Sequence, residues 1–118
     1  MTTLIEQANA LHARLTTLGK VPEDFFQSDP CEGEAYWWDG HNPIDDAHAL
    51  AILRDAARRV CDEHGIRLDN DGGSPVYEAI DKYAGLKDYI VHPSENLAYE
   101  PCLVKCMDWI IEQEADRG

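Results

Sequence analysis

The sequence predicts a mainly α protein: a compact bundle of about four helices, with a small β-hairpin or short sheet as an addition and an α+β arrangement as the alternative. Three observations lead there. Apolar residues recur at helical spacing in several windows, capping residues and prolines open those windows, and glycines close most of them. A chain of 118 residues, 44% of them apolar and 28% charged, is expected to form one domain over residues 1–118. Such a domain buries about two-thirds of the surface its unfolded chain exposes and needs neither disulfide nor metal to be stable.

The first helix is expected from Leu4 to Leu18. Thr3 and Glu6 form a capping box, and Gly19 supplies the left-handed stop. Leu4, Ala8, Leu11, Leu15 and Leu18 fall in one narrow stripe that faces a core. A second, longer helix is expected to start with Asn42 as N-cap and Pro43 in the first helical position, with Asp45 and Asp46 near the positive end of its dipole. It runs to about His64 and stops at Gly65. Leu50, Leu53, Ala57, Val60 and His64 share its apolar face, while Asp55–Arg59 and Arg58–Asp62 are spaced as ion pairs on the other. Its many alanines suggest close neighbours and a central place.

Ser74 and Pro75 open a third, shorter helix that ends near Gly85, after a turn at Asp69–Gly73. The last helix begins near Pro101 and continues to about Glu114. Lys105, Asp108 and Glu112 form a narrow polar strip on it, and Cys102, Leu103, Cys106, Met107, Ile110 and Ile111 cover much of the rest. So wide an apolar surface is packed heavily or covered by a partner, which leaves a homodimer open. Tyr36–Trp38, Ile66–Leu68 and Tyr89–Val91 have the composition of short strands. No internal repeat or low-complexity tract is visible.

Residues 21–46 differ in character from the rest. Eight acidic residues (Glu23, Asp24, Asp29, Glu32, Glu34, Asp39, Asp45 and Asp46) lie there without a single Lys or Arg, beside Phe25, Phe26, Tyr36, Trp37 and Trp38. The whole chain holds 23 acidic and 10 basic residues, a formal charge of −13. That imbalance repels nucleic-acid backbones and anionic membrane surfaces, so neither is expected as a direct partner. A monomer of 13.3 kDa exposes on the order of 6,400 Å², so the net charge averages one per ~500 Å². Duplex DNA carries about five times that density, and imitation of a nucleic acid therefore requires the eight carboxylates to cluster. Acid-rich, lysine-poor composition also accompanies adaptation to high salt, where it maintains solubility and binds nothing.

No run approaches the ~20 apolar residues that span a bilayer. The opening Met-Thr-Thr-Leu-Ile-Glu has no basic region of the kind that begins a signal peptide, so a cytoplasmic location is expected. There Cys31, Cys61, Cys102 and Cys106 are thiols, read first as small buried hydrophobes.

Motifs with catalytic or ligating chemistry are scarce. Cys61 with His64, and Cys102 with Cys106, have spacings that two helices could gather around one zinc ion. There is no Cys-x2-Cys, however, and both pairs lie on or beside apolar faces. Residues 67–78 place Asp69, Asp71, Gly72 and Glu78 as a calcium loop would, but Arg67 stands where the first carboxylate belongs. Pro101-Cys102 is followed by Cys106, and no His-x-Glu occurs, which excludes the zinc deaminase signature. Nucleophile elbows, phosphate-cradling glycine loops and dinucleotide fingerprints are missing. No catalytic residue, cofactor or metal ligand is therefore assigned, and the chain is not expected to be an enzyme.

The acidic and aromatic stretch remains the feature with the most specific chemistry. Rigid aromatic rings give contact area, and carboxylates around them steer a basic partner. The expected function is that of an acidic inhibitor or adaptor that docks on a basic, nucleic-acid-binding or catalytic, surface of another protein. Asp29, Glu32, Glu34 and Asp39 would supply charge, and Tyr36, Trp37 and Trp38 contact area. In size and acidity the chain is similar in kind to toxin-immunity proteins and phage-borne inhibitors of bacterial defence systems, a likeness of composition that assigns no residue a role. The alternatives are a metal- or small-ligand-binding protein using Cys61, His64, Cys102 and Cys106, and a structural homo-oligomer.

Overall fold

Three helices and two three-stranded antiparallel sheets make up the fold, which is α+β and not a mainly α four-helix bundle. The computed structural model describes residues 3–31, 34–70, 75–81 and 88–117; the side chains at 29–31, 34–36, 88 and 117 lie outside that description. In chain order the elements are α1 (Leu4–Leu18), β1 (Phe25–Cys31), β2 (Glu34–Asp39), β3 (Asn42–Ile44), α2 (Asp46–Glu63), β4 (Ile66–Asn70), β5 (Tyr77–Asp81), β6 (Asp88–Val91) and α3 (Tyr99–Arg117), with a 3-10 turn at Pro93–Glu95. A helix followed by a three-stranded meander thus occurs twice in succession, although the residues themselves show no repeat. By contact, the chain divides into two compact units, Met1–Ala56 and Ala57–Gly118, with the division inside α2.

In the first unit, α1 has the expected bounds. The Thr3 hydroxyl accepts from the Glu6 amide at 3.2 Å. At the other end Gly19 adopts φ +69°, which lets its amide reach Thr16 O at 3.1 Å and the Lys20 amide reach Leu15 O at 2.9 Å, the paired bonds of a Schellman stop. Ala8, Leu11 and Leu15 are fully buried, and each leucine contributes about 1.5–3 kcal/mol by leaving water. β1, β2 and β3 follow as a meander in sequence order. The β2–β3 connection is a two-residue turn in which Gly40 has φ +63°, the positive value that the first central position of a tight hairpin turn requires. Its amide donates to Asp24 O at 2.7 Å.

The start of α2 corrects the expectation. Asn42 and Pro43 are strand residues, paired with Asp39 and Trp38, and the helix begins three residues later. Asp45 is the cap: its Oδ1 accepts from the His48 amide at 2.7 Å. Proline is admissible at this place because β3 is an edge strand of the sheet. Gly65, with φ +71°, follows α2 as expected.

In the second unit, the helix expected from Ser74 to Gly85 is replaced, over the described part, by β5. Residues 71–74 and 82–87 lie outside the described residues. β5 is the central strand between β4 and β6, with Asn70 opposite Tyr77 and Ile80 opposite both Arg67 and Tyr89. The two strand-like segments foreseen at Ile66–Leu68 and Tyr89–Val91 need a partner for their backbone groups, and this segment is that partner. α3 packs on β5 and β6 and starts at Tyr99, so Pro101 stands within its first turn, where the missing amide has no carbonyl to serve. Its Cys102, Leu103, Cys106, Met107 and Ile110 are fully buried.

Candidate functional site

The β1–β3 sheet has two faces with different chemistry, because adjacent strand residues point to opposite sides. One face carries Phe25 and Trp37. Trp37 was expected to offer contact area, but it is a core residue, 1% exposed. Its ring stacks on Phe25 with centroids 5.5 Å apart and meets the edge of His12 of α1 at 5.4 Å. A buried indole N–H needs an acceptor, and Trp37 Nε1 donates to Asp46 Oδ1 at 3.0 Å. On the same side Gln27, opposite Trp37, donates from Nε2 to Asn9 Oδ1 at 3.1 Å. Burial beside these rings holds the His12 imidazole below its ordinary pKa.

The other face carries a row that crosses all three strands. Phe26 lies opposite Trp38, and Trp38 opposite Pro43. The Phe26 and Trp38 rings are nearly parallel, 11° apart with centroids at 6.1 Å. Phe26 is 47% exposed, Trp38 is half-buried and Pro43 is exposed. Glu23, Asp24 and Asp45, each within three residues of a member of the row, are exposed as well, and Asp39, opposite Phe25 and so on the side of Phe25 and Trp37, is also exposed. From position 21 to 53 the sequence has no Lys or Arg.

Of the residues expected to bind a partner, Trp38 and Asp39 are therefore at or near the surface and Trp37 is not. Asp29, Glu32, Glu34 and Tyr36 lie outside the described side chains. Phe26, named only among the aromatics of the stretch, and Pro43, read as the first residue of a helix, were not among the residues expected to bind a partner. The signal for Phe26 was the doublet Phe25-Phe26 itself: in a strand one of two adjacent rings faces the core and the other faces away.

The cysteine and histidine residues take up other work. Cys61, Cys102 and Cys106 are free thiols, fully buried in the second unit. Hydrogen bonds with Cys102 and Cys61, reinforced by burial, push the Cys106 thiol far above its ordinary pKa. His64 has both ring nitrogens engaged, Nδ1 at 3.0 Å from Val60 O and Nε2 at 3.3 Å from Glu114 Oε1. Among the described residues no group of three or more His, Cys, Asp or Glu side chains is arranged to hold a metal ion. Asp69, in the stretch that superficially resembles a calcium loop, belongs to strand β4 and pairs with Arg67 at 2.8 Å. Among the described residues, no helix is long and apolar enough to cross a membrane.

No family model matches the chain, and neither a curated protein nor a solved structure matches it.

Proposed function

We propose that the protein is a binding module, an inhibitor or adaptor that sets the Phe26–Trp38–Pro43 face of its first sheet against a basic surface of another protein. The stacked pair of an exposed Phe26 and a half-buried Trp38 carries this reading. Large rings left in water are the usual anchors of protein interfaces, since their burial on docking releases much apolar surface at little cost in side-chain entropy. Carboxylates beside the rings, in a stretch without cations, favour a partner of positive charge and accelerate the encounter. A partner that uses its basic patch for nucleic acid or for catalysis is blocked when that patch is covered.

Affinity capture from the native host tests the reading. Wild-type protein and the variant Phe26→Ser/Glu23→Lys are used as baits at low and high salt, and retained proteins are quantified by mass spectrometry. The expected outcome is a basic protein held by the wild type at low salt and lost both with the variant and with added salt. Indistinguishable retention by the two baits at both salt concentrations overturns the proposal.

A further inference from the structure

We infer that the cation received by this face is the guanidinium of arginine side chains on the partner, in preference to lysine ammonium groups; the inference rests on the docking reading above and names the chemistry of its occupant. The geometry points to stacking. Phe26 and Trp38 lie within 11° of parallel, and Pro43 continues the row on the third strand. The row is open on its outer side, with Phe26 47% exposed. An ammonium is a compact, strongly hydrated charge, and aromatic side chains compensate its lost water best when several of them enclose it. A single open row encloses nothing. A guanidinium is planar and weakly hydrated, so it lies flat on an exposed ring and sheds little water in doing so.

The carboxylates complete the match. While the plane of the guanidinium rests on a ring, its N–H groups point outward along that plane, towards the margin of the row. Glu23 and Asp24 stand three and two residues before Phe26, and the Asp24 carbonyl oxygen accepts from the Gly40 amide at 2.7 Å. Both side chains are exposed, at the hairpin end of the sheet. Bidentate pairing with a carboxylate is available to arginine and not to lysine. The first unit supplies no arginine or lysine from its own strands to fill this role.

Binding of fluorescently labelled hexa-arginine and hexa-lysine peptides, measured by anisotropy at low salt, tests the inference. The proteins compared are the wild type, Phe26→Ser, Trp38→Phe as a conservative variant, and Glu23→Lys/Asp24→Asn. Circular dichroism confirms that each is folded, which is expected because the altered side chains lie outside the buried core. Hexa-arginine should bind several-fold more tightly than hexa-lysine, and Phe26→Ser should weaken hexa-arginine about tenfold while moving hexa-lysine much less. Trp38→Phe, which keeps an aromatic face, should retain most of the affinity. Equal binding of the two peptides with no effect of Phe26→Ser, but weakening of both by Glu23→Lys/Asp24→Asn, overturns the arginine inference and leaves charge-steered docking standing. Peptide binding that none of the variants alters overturns both.

Discussion

Trp37→Ala removes an indole from the buried face of the first sheet together with its stacking on Phe25 and its bond to Asp46. Urea denaturation should show a loss of about 3–5 kcal/mol, the range for deleting a large aromatic from a core. For Trp38→Ala, which removes a half-buried partner of Phe26, the loss should be about 1 kcal/mol, the scale of an exposed cross-strand pair. Comparable losses for the two would contradict the assignment of faces. Asp46→Ala leaves the Trp37 N–H unpaired at a cost of about 1–3 kcal/mol, and Asp46→Asn, which keeps an acceptor, should recover most of it. His12 supplies a pH dependence of the same core. Its folded pKa lies below the unfolded value because burial disfavours the imidazolium. Stability from this group is therefore complete above the unfolded value of about 6.5 and declines as pH falls through that value towards the folded pKa. Lowering the pH also relieves repulsion among the many carboxylates, so the clean readout is a difference. Between pH 7.5 and pH 5 the wild type should lose stability relative to His12→Gln.

At the scale of elements, two capping candidates compete for the start of α2. Asn42-Pro43 and Asp45-Asp46 both carry the chemistry of a helix start, and local sequence does not separate them. Pairing of residues 42–44 with β2 decides for the second. Asp45→Ala should consequently destabilise the protein by about 1 kcal/mol in chemical denaturation, whereas Asn42→Ala removes no helix cap. The segment after Ser74-Pro75 was subject to the same kind of competition. Its local start signal is genuine, but β4 and β6 both leave backbone donors and acceptors on the side that β5 occupies, and satisfying two ladders outweighs one helical turn's propensity. Strand formation also explains why the aromatic doublets Phe25-Phe26 and Trp37-Trp38 each divide between core and surface. A helical or irregular reading of residues 21–46 offers no such rule.

For the whole molecule, the net charge of −13 spread over 7381 Å² is one charge per roughly 570 Å², several-fold sparser than the ~100 Å² per charge of duplex DNA. Averaged charge thus does not imitate a nucleic acid, and any such resemblance has to be local. Unbalanced charge does act on stability, because self-repulsion opposes the compact state. Raising ionic strength from about 10 mM to 150 mM shortens the Debye length from about 30 Å to 8 Å. The urea midpoint should rise over that interval, most steeply at neutral pH, and a flat response would show that the acids are neutralised within the fold. The ten acidic residues of Met1–Ala56 face only three basic ones, so the first unit should respond more strongly than a uniform distribution would require. Hydrogen exchange of its strand amides at the two salt concentrations measures that response directly.

Features governed by neighbouring residues could be read directly from the order of amino acids. The bounds of α1 were legible to the residue, because Thr3, the leucine stripe and Gly19 act within a few positions of one another, although Leu4 at the start of the stripe is exposed. The last helix, the Gly65 stop and the character of residues 21–46 were legible for the same reason. The tertiary structure alone decided which strands would pair, and from that followed the place of β5, the start of α2, the burial of Trp37 and the exposure of Phe26. A strand acquires its hydrogen bonds and its inner face from residues distant in the chain, so no window of sequence contains the terms that fix it. The candidate surface is a property of such a pairing: Phe26, Trp38 and Pro43 become one row only when three strands lie side by side.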